Sequence, residues 1–328
     1  VSTARQTPPA PHTRRPMLAY TGSGPYCYSH SLAMVLGPDA APSPAVIETL
    51  TGSPFGMQLV GGTLPWFDPY GWDPEAGMDA AVPALGLRCV RSAGGTQDQA
   101  LARLGAACAE GPALAGPVDM GLLLYQPGSG TPTGADHYVV VLSVEDGTVL
   151  LHDPHGHPYA TLPAPAFAAA WRAESVTYTD VPYVMRSAFV QERAADPAEA
   201  LRRSLPDAVR WLAGRDDLPM PPGSLGGTAA AEALADRVAE GLPPETRELL
   251  RVFAVRVGAR RLNDAAACLA SLGLDVPAAL LAEQSRIVGG LQHPVVSEDD
   301  GALEAGLRRL APTYGRLRTA LEQAVTRS

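Results

Sequence analysis

No lysine occurs anywhere in the 328 residues, so all 25 basic side chains are arginine. Asparagine appears once, at Asn263, and isoleucine only at Ile47 and Ile287. This bias is what GC-rich coding produces, and it carries no mechanism. Positive charge is also in deficit: 34 acidic residues leave a net charge of −9. The chain therefore lacks the basic footprint that a nucleic-acid backbone requires. No apolar run reaches the roughly 18 residues needed to cross a bilayer. The stretch 1–16, rich in Pro, Thr and Arg, has no apolar core of the kind a signal peptide needs and reads as a flexible tail. Four cysteines (Cys27, Cys89, Cys108, Cys268) are too irregularly spaced for a zinc site or a disulfide framework. A reduced, cytoplasmic protein with no metal and no bound cofactor is expected.

What is present divides into two textures. The first half is dense in Gly and Pro and changes period often. A short helix is expected over 28–36, ended by Gly37 and Pro38, and a second after the cap Ser43 and Pro44. Residues 52–79 read as a long loop, followed by a helix over 96–110. Strand signals then cluster at 113–124, 137–144, 148–152 and 176–190, with Asp146-Gly147 as a hairpin turn. Beyond Asp196 the segments 197–213, 227–240, 244–257, 259–272, 276–290 and 301–326 carry helical spacing and are rich in Ala, Leu and Arg. Helices followed by antiparallel strands argue for an α+β domain over 17–192, and the remainder, 193–328, for an all-helical domain.

Chemistry concentrates at two places. Cys27 sits in GSGPYCYSHSLAMVLG, where a Gly/Pro turn feeds into a helix. Unpaired N–H groups and the positive end of the helix dipole favour a thiolate there. A lone cysteine is more often a small buried hydrophobe, so the surroundings matter. His137 opens an apolar strand in GADHYVVVLSVEDGTVLLHDP, and Asp153 closes the returning one. A hairpin brings those two ends together, so that the carboxylate orients the imidazole and stabilises its charged form.

These segments, CYSHSLAMVLG, PSPAVIETLTGSPFG and DHYVVVLSVEDGTVLLHDP, resemble the N-terminal domain of butirosin-type acyltransferases, itself similar to bacteriocin-processing cysteine peptidases. The likeness spans roughly 17–190, and the helical half loosely resembles the domain that follows in the butirosin group. The condensing enzymes of lincosamide antibiotic biosynthesis are also similar. The resemblance implies a papain-like fold with nucleophile Cys27, base His137 and orienting Asp153. It further implies amide formation: an acyl or aminoacyl group moves from the phosphopantetheine thioester of an acyl or peptidyl carrier protein to an aminosugar-type amine. Hydrolysis of a peptide or thioester is the alternative. One departure bears on that choice. Papain-like peptidases carry a glutamine shortly before the cysteine as oxyanion donor, and here residues 20–26 read YTGSGPY. The Cys27 N–H with Ser23 or Thr21 is the substitute expected.

Lesser candidates follow. His30, one helical turn after Cys27, either tunes the thiol or packs under the sheet. The loop carrying Trp66, Asp68 and Trp72 suits stacking on a sugar and pairing with its ammonium, or else plugs into the core. Asp119 ends a strand on the same side and is a further substrate-binding candidate. His152, His155 and His157 lack a matching ligand set for a metal. Arg202, Arg203 and Arg210, or Arg251, Arg256, Arg260 and Arg261, are expected to form a patch for an acidic carrier protein.

Overall fold

A buried helix preceded by a Gly/Pro turn starts the architecture, in a computed structural model that describes residues 19–22, 24–215 and 217–327. The tail expected over 1–16 lies outside those residues, as does Ser23. Helix α1 (Cys27–Leu36) stops at Gly37, whose φ of 80° lies in the left-handed region that glycine alone adopts freely. The next helix, α2 (Pro44–Leu50), starts where Pro44 pre-sets the backbone and the Ser43 side chain accepts from the Val46 N–H. The expected loop at 52–79 instead contains two short strands, β1 (Gln58–Val60) and β2 (Leu64–Trp66), and then α3 (Pro74–Ala84) begins, capped by Asp73. Strand β3 (Leu87–Ser92) precedes α4 (Gln97–Glu110), whose Thr96 and Gln99 form a reciprocal capping box.

The main sheet comes next: β4 (Ala113–Asp119), β5 (Asp136–Glu145), β6 (Thr148–Asp153) and β7 (His157–Pro163), then α5 (Ala164–Trp171) and β8 (Met185–Gln191). Its order is β3-β8-β4-β5-β6-β7, antiparallel throughout. Residues 176–184 are turns, so only the end of the stretch expected at 176–190 is a strand. The β5–β6 connection is the expected two-residue turn, with Glu145 opposite Thr148 and positive φ at both Asp146 and Gly147.

The second half is helical as expected: α6 (Pro197–Ala213), α7 (Gly227–Glu240), α8 (Pro244–Leu249), α9 (Val255–Ser271), α10 (Asp275–Gly290), α11 (Gln292–Ser297) and α12 (Asp300–Arg327). A π-helical turn at Leu250–Ala254 joins α8 to α9 without a break. A two-residue strand, β9 (Leu225–Gly226), precedes α7 and pairs with β1. The fold is thus α+β with a helical C-terminal region.

The change of texture near residue 192 does not separate two cores. One apolar cluster runs from Tyr26 and Leu32 of the first half through Leu201, Leu262 and Leu307 of the second. A smaller one fills the space between α4, α5 and the sheet, around Val139, Val141, Phe167 and Trp171. Helix α2 packs on α9 and α1 packs on α2, so apolar burial, worth about 25 cal/mol per Å², ties the helical region to the cysteine's helix.

A charged cluster lies in the same seam. Glu48 of α2 is fully buried and accepts from Tyr28 Oη at 2.7 Å, Ser29 Oγ at 2.8 Å, Ser53 Oγ at 2.6 Å and Arg261 Nε at 2.9 Å. Arg261, on α9, also reaches Asp68 at 2.8 Å and the Phe67 carbonyl at 3.1 Å, and lies over the Trp72 ring. Beside it, Tyr26 Oη donates to Asp264. The residues on either side of Cys27 are thus both held by α9.

Candidate active site

Strand register sets the site's geometry. Val140 pairs with His152, and continuing that register puts Asp153 opposite Val139, one same-face step from His137. The remaining distance is closed by the side chains, with His137 Nε2 donating to Asp153 Oδ1 at 2.6 Å. Nδ1 is then the ring nitrogen left for the thiol. Cys27, at the first position of α1, is hydrogen-bonded to His137 from the other side. The structure therefore brings Cys27, His137 and Asp153 together from positions that are 110 and 16 residues apart in sequence.

The carboxylate is fully engaged. Besides His137, Oδ1 accepts the His155 backbone N–H at 2.7 Å, while Oδ2 accepts Tyr125 Oη at 2.9 Å and Gln126 Nε2 at 2.8 Å. Tyr20 Oη donates to the Asp153 carbonyl at 2.9 Å. Burial works against the Asp153 charge, but hydrogen bonding and attraction from His137, with the His155 N–H and Tyr125, outweigh it and hold the carboxyl at about 2. For His137, burial opposes the cation. The negative charge of the Cys27 sulfur and the bond to Asp153 reverse that and push the imidazole up to about 10. Burial pushes the Tyr125 phenol up as well, keeping it a donor.

That shift links stability to pH. A folded pKa above the ordinary 6.5 gives a contribution fully present below pH 6.5 and lost as pH rises toward about 10. The melting temperature of the wild type should therefore exceed that of His137→Gln by a margin that narrows between pH 6.5 and 10. A margin that widens over this range in thermal melts would contradict the charged pairing.

The other candidates scatter. His30 is buried and stacked on Tyr26 at 5.9 Å, and its Nδ1 has no partner. Burial, then Arg260, lowers its pKa, so the ring is neutral. Thr21 is half-buried and makes no side-chain hydrogen bond among the described residues. Trp66 lies edge-on to Phe253, on the side of the π turn.

Three of the residues expected to bind substrate are buried and bonded within the fold. Asp68 is buried, with Gln58 Nε2 at 2.6 Å and Arg261 Nη1 at 2.8 Å, and has no free carboxylate for an ammonium group. Trp72 is buried, its Nε1 donating to the Thr51 carbonyl at 2.9 Å. Asp119 is buried as a clamp on the loop before β5, accepting from Gly121, Thr133 and Gly134 N–H groups and from Ser175. For Asp68 the sequence shows an acidic loop residue, and the distant Arg261 that pairs with it carries no local signal.

Most arginines of the expected patch are engaged within the fold, several with carboxylates three or four residues away on the same helix. Arg261 is buried. Arg202 bonds the Leu272 carbonyl, while Arg203, Arg210, Arg251 and Arg260 pair with Glu199, Asp207, Glu248 and Asp264. Arg256 forms no ion pair among the described residues. Of the three histidines near Asp153, His152 is buried, its Nδ1 accepting from the Tyr159 N–H, and His157 lies edge-on to Tyr125. His155 is exposed, its ring edge-on to His137. Among the described residues no group of three His, Cys, Asp or Glu side chains is placed to hold a metal ion, and no helix is long and apolar enough to cross a membrane.

Comparison with known proteins adds kinship at low identity. Residues 221–322 match the family of the YobF C-terminal domain. The chain is also similar to the uncharacterized protein YobF of Bacillus subtilis (strain 168), 27% identical over 320 residues that cover 93% of this chain and 98% of that protein. The likeness runs through both the site-bearing half and the helical half, in keeping with the core they share.

Proposed function

We propose that this protein has a papain-like catalytic half and transfers an acyl group from a carrier-protein phosphopantetheine thioester to an amine. The observation that carries the reading is His137 held between Cys27 and Asp153. An imidazolium there is the counterion of a nucleophilic thiolate. Cys27 Sγ attacks the thioester carbon, the bond to pantetheine breaks, and His137 gives its proton to the departing sulfur. The Cys27 N–H has no intrahelical carbonyl partner at the first position of α1, which suits it to the oxyanion.

The choice of transfer over peptide hydrolysis rests on what the segment before the cysteine lacks. Without a glutamine among residues 20–26, the site is poorer in oxyanion donors than a peptidase. A thioester is already activated and needs less of that help, and its conversion to an amide is downhill, so no nucleotide is required. The resemblance to butirosin-type and lincosamide condensing enzymes points the same way, toward an aminosugar-type acceptor.

The partition between amine and water tests this. Incubation with an alanyl-loaded carrier protein and glucosamine should give the amide in excess over free alanine, as measured by mass spectrometry. Release of alanine alone, at a rate independent of glucosamine, would make the protein a thioesterase.

A further inference from the structure

We propose that His155, exposed beside His137, is a second proton acceptor that receives the proton an ammonium must shed before its nitrogen attacks the acyl-enzyme. The inference rests on the acyl-transfer reading and deepens it.

Proton counting calls for such a group. Acylation leaves His137 neutral, because its proton departs with the pantetheine thiol. In the second half-reaction the amine nitrogen bonds to the acyl carbon and the bond to Cys27 breaks. His137 then takes one proton and restores the imidazolium–thiolate pair. A primary amine, however, arrives at neutral pH as an ammonium with three N–H bonds, and the amide product keeps one. Two protons must leave, and His137 has room for one. Water as acceptor imposes no such demand, since the acid it forms ionises after release.

His155 has the placement and chemistry for the second. Its side chain is exposed, and its ring stands edge-on to that of His137 with centroids 6.2 Å apart. Its backbone N–H is anchored on Asp153 Oδ1 at 2.7 Å, the same oxygen that His137 holds. The charged and titratable groups acting on it are His137 on β5, Asp153 and His157 from its own turn, and Arg256 on α9. Burial, then His137, lowers its pKa below the ordinary 6.5, with Arg256 and His157 acting in the same sense against Asp153. At pH 7 the ring is a neutral base, open to water for onward release of the proton. Arg256 likewise disfavours an ammonium beside His155 and favours the free amine.

The test uses wild type and His155→Gln, each loaded from the N-acetylcysteamine thioester of alanine and discharged at pH 7. Ethanolamine arrives as an ammonium, whereas hydroxylamine is already uncharged. Intact-mass spectrometry follows loss of the acyl adduct. The ratio of ethanolamine to hydroxylamine discharge rates should fall roughly 10²-fold or more in His155→Gln, the scale of a general base. An unchanged ratio in a variant that loads would overturn the role of His155 alone. Failure of the wild type to load would sink the acyl-transfer reading, and this inference with it.

Discussion

Replacing His137 with glutamine is expected to slow acyl-adduct formation on Cys27 by about 10³-fold or more, the scale of losing one member of a catalytic triad. The reason is specific to the geometry. Glutamine fills a similar space and still offers an amide N–H to Asp153, so the hairpin should survive. It cannot carry the positive charge that faces the sulfur, nor hand a proton to the leaving thiol. Asp153→Asn should be costly as well, because His137, the His155 N–H, Tyr125 and Gln126 all donate to the carboxylate, and an amide NH2 would have to face two of those donors. The check is the rate of adduct formation from an acyl thioester, read by intact mass, on variants whose melting curves show them folded. A loss under tenfold in His137→Gln would remove this residue from the chemistry.

The second large effect lies away from the reacting atoms. Arg261→Met should destabilise the protein by about 3–5 kcal/mol, the usual cost of removing one partner from a buried ion cluster. Glu48 and Asp68 would both be left in the interior without their cation. Burial already raises the Asp68 pKa against the pull of Arg261, so the carboxyl would be driven further toward its neutral form. The triple variant Glu48→Gln, Asp68→Asn, Arg261→Met should regain much of the loss, because no unpaired charge remains. Urea unfolding measures both. Equal stability of Arg261→Met and wild type would show that the cluster does not hold the seam between α1, α2 and α9. Because Tyr28 also contacts Arg261, at 3.1 Å, the single variant should loosen the helix that presents Cys27.

Features with local causes were legible in the sequence. Ser43-Pro44 and Asp146-Gly147 each fix a backbone turn through atoms a few residues apart and appear where expected, and the helix expected over 96–110 is started by an equally local capping box of Thr96 and Gln99. The approach of His137 to Asp153 was legible for the same reason, since one hairpin determines it. Features with distant causes were not. Asp68 and Trp72 read as a sugar-binding loop until Arg261, nearly two hundred residues later, occupies them. Tyr125 and Gln126, which hold Asp153, lie in an irregular loop that no periodicity marks. Strand β7 and helix α5 were missed as well. The strand exposes most of its residues and so lacks a clean alternation, and α5 is too short to show a helical period. The composition changes near residue 192, yet one apolar cluster runs through both halves, because packing between them has no local signal.

The central claim is that Cys27, and no other thiol, takes up the acyl group. Cys108 and Cys268 are buried, and burial pushes the thiols of Cys89 and Cys268 up, away from the reactive form. Wild type and Cys27→Ala, each mixed with an alanyl N-acetylcysteamine thioester and no amine, would be compared by intact mass and peptide mapping. The account predicts one adduct on wild type, mapped to Cys27, and none on Cys27→Ala. An adduct that persists in Cys27→Ala, or that maps to Cys89, would contradict it.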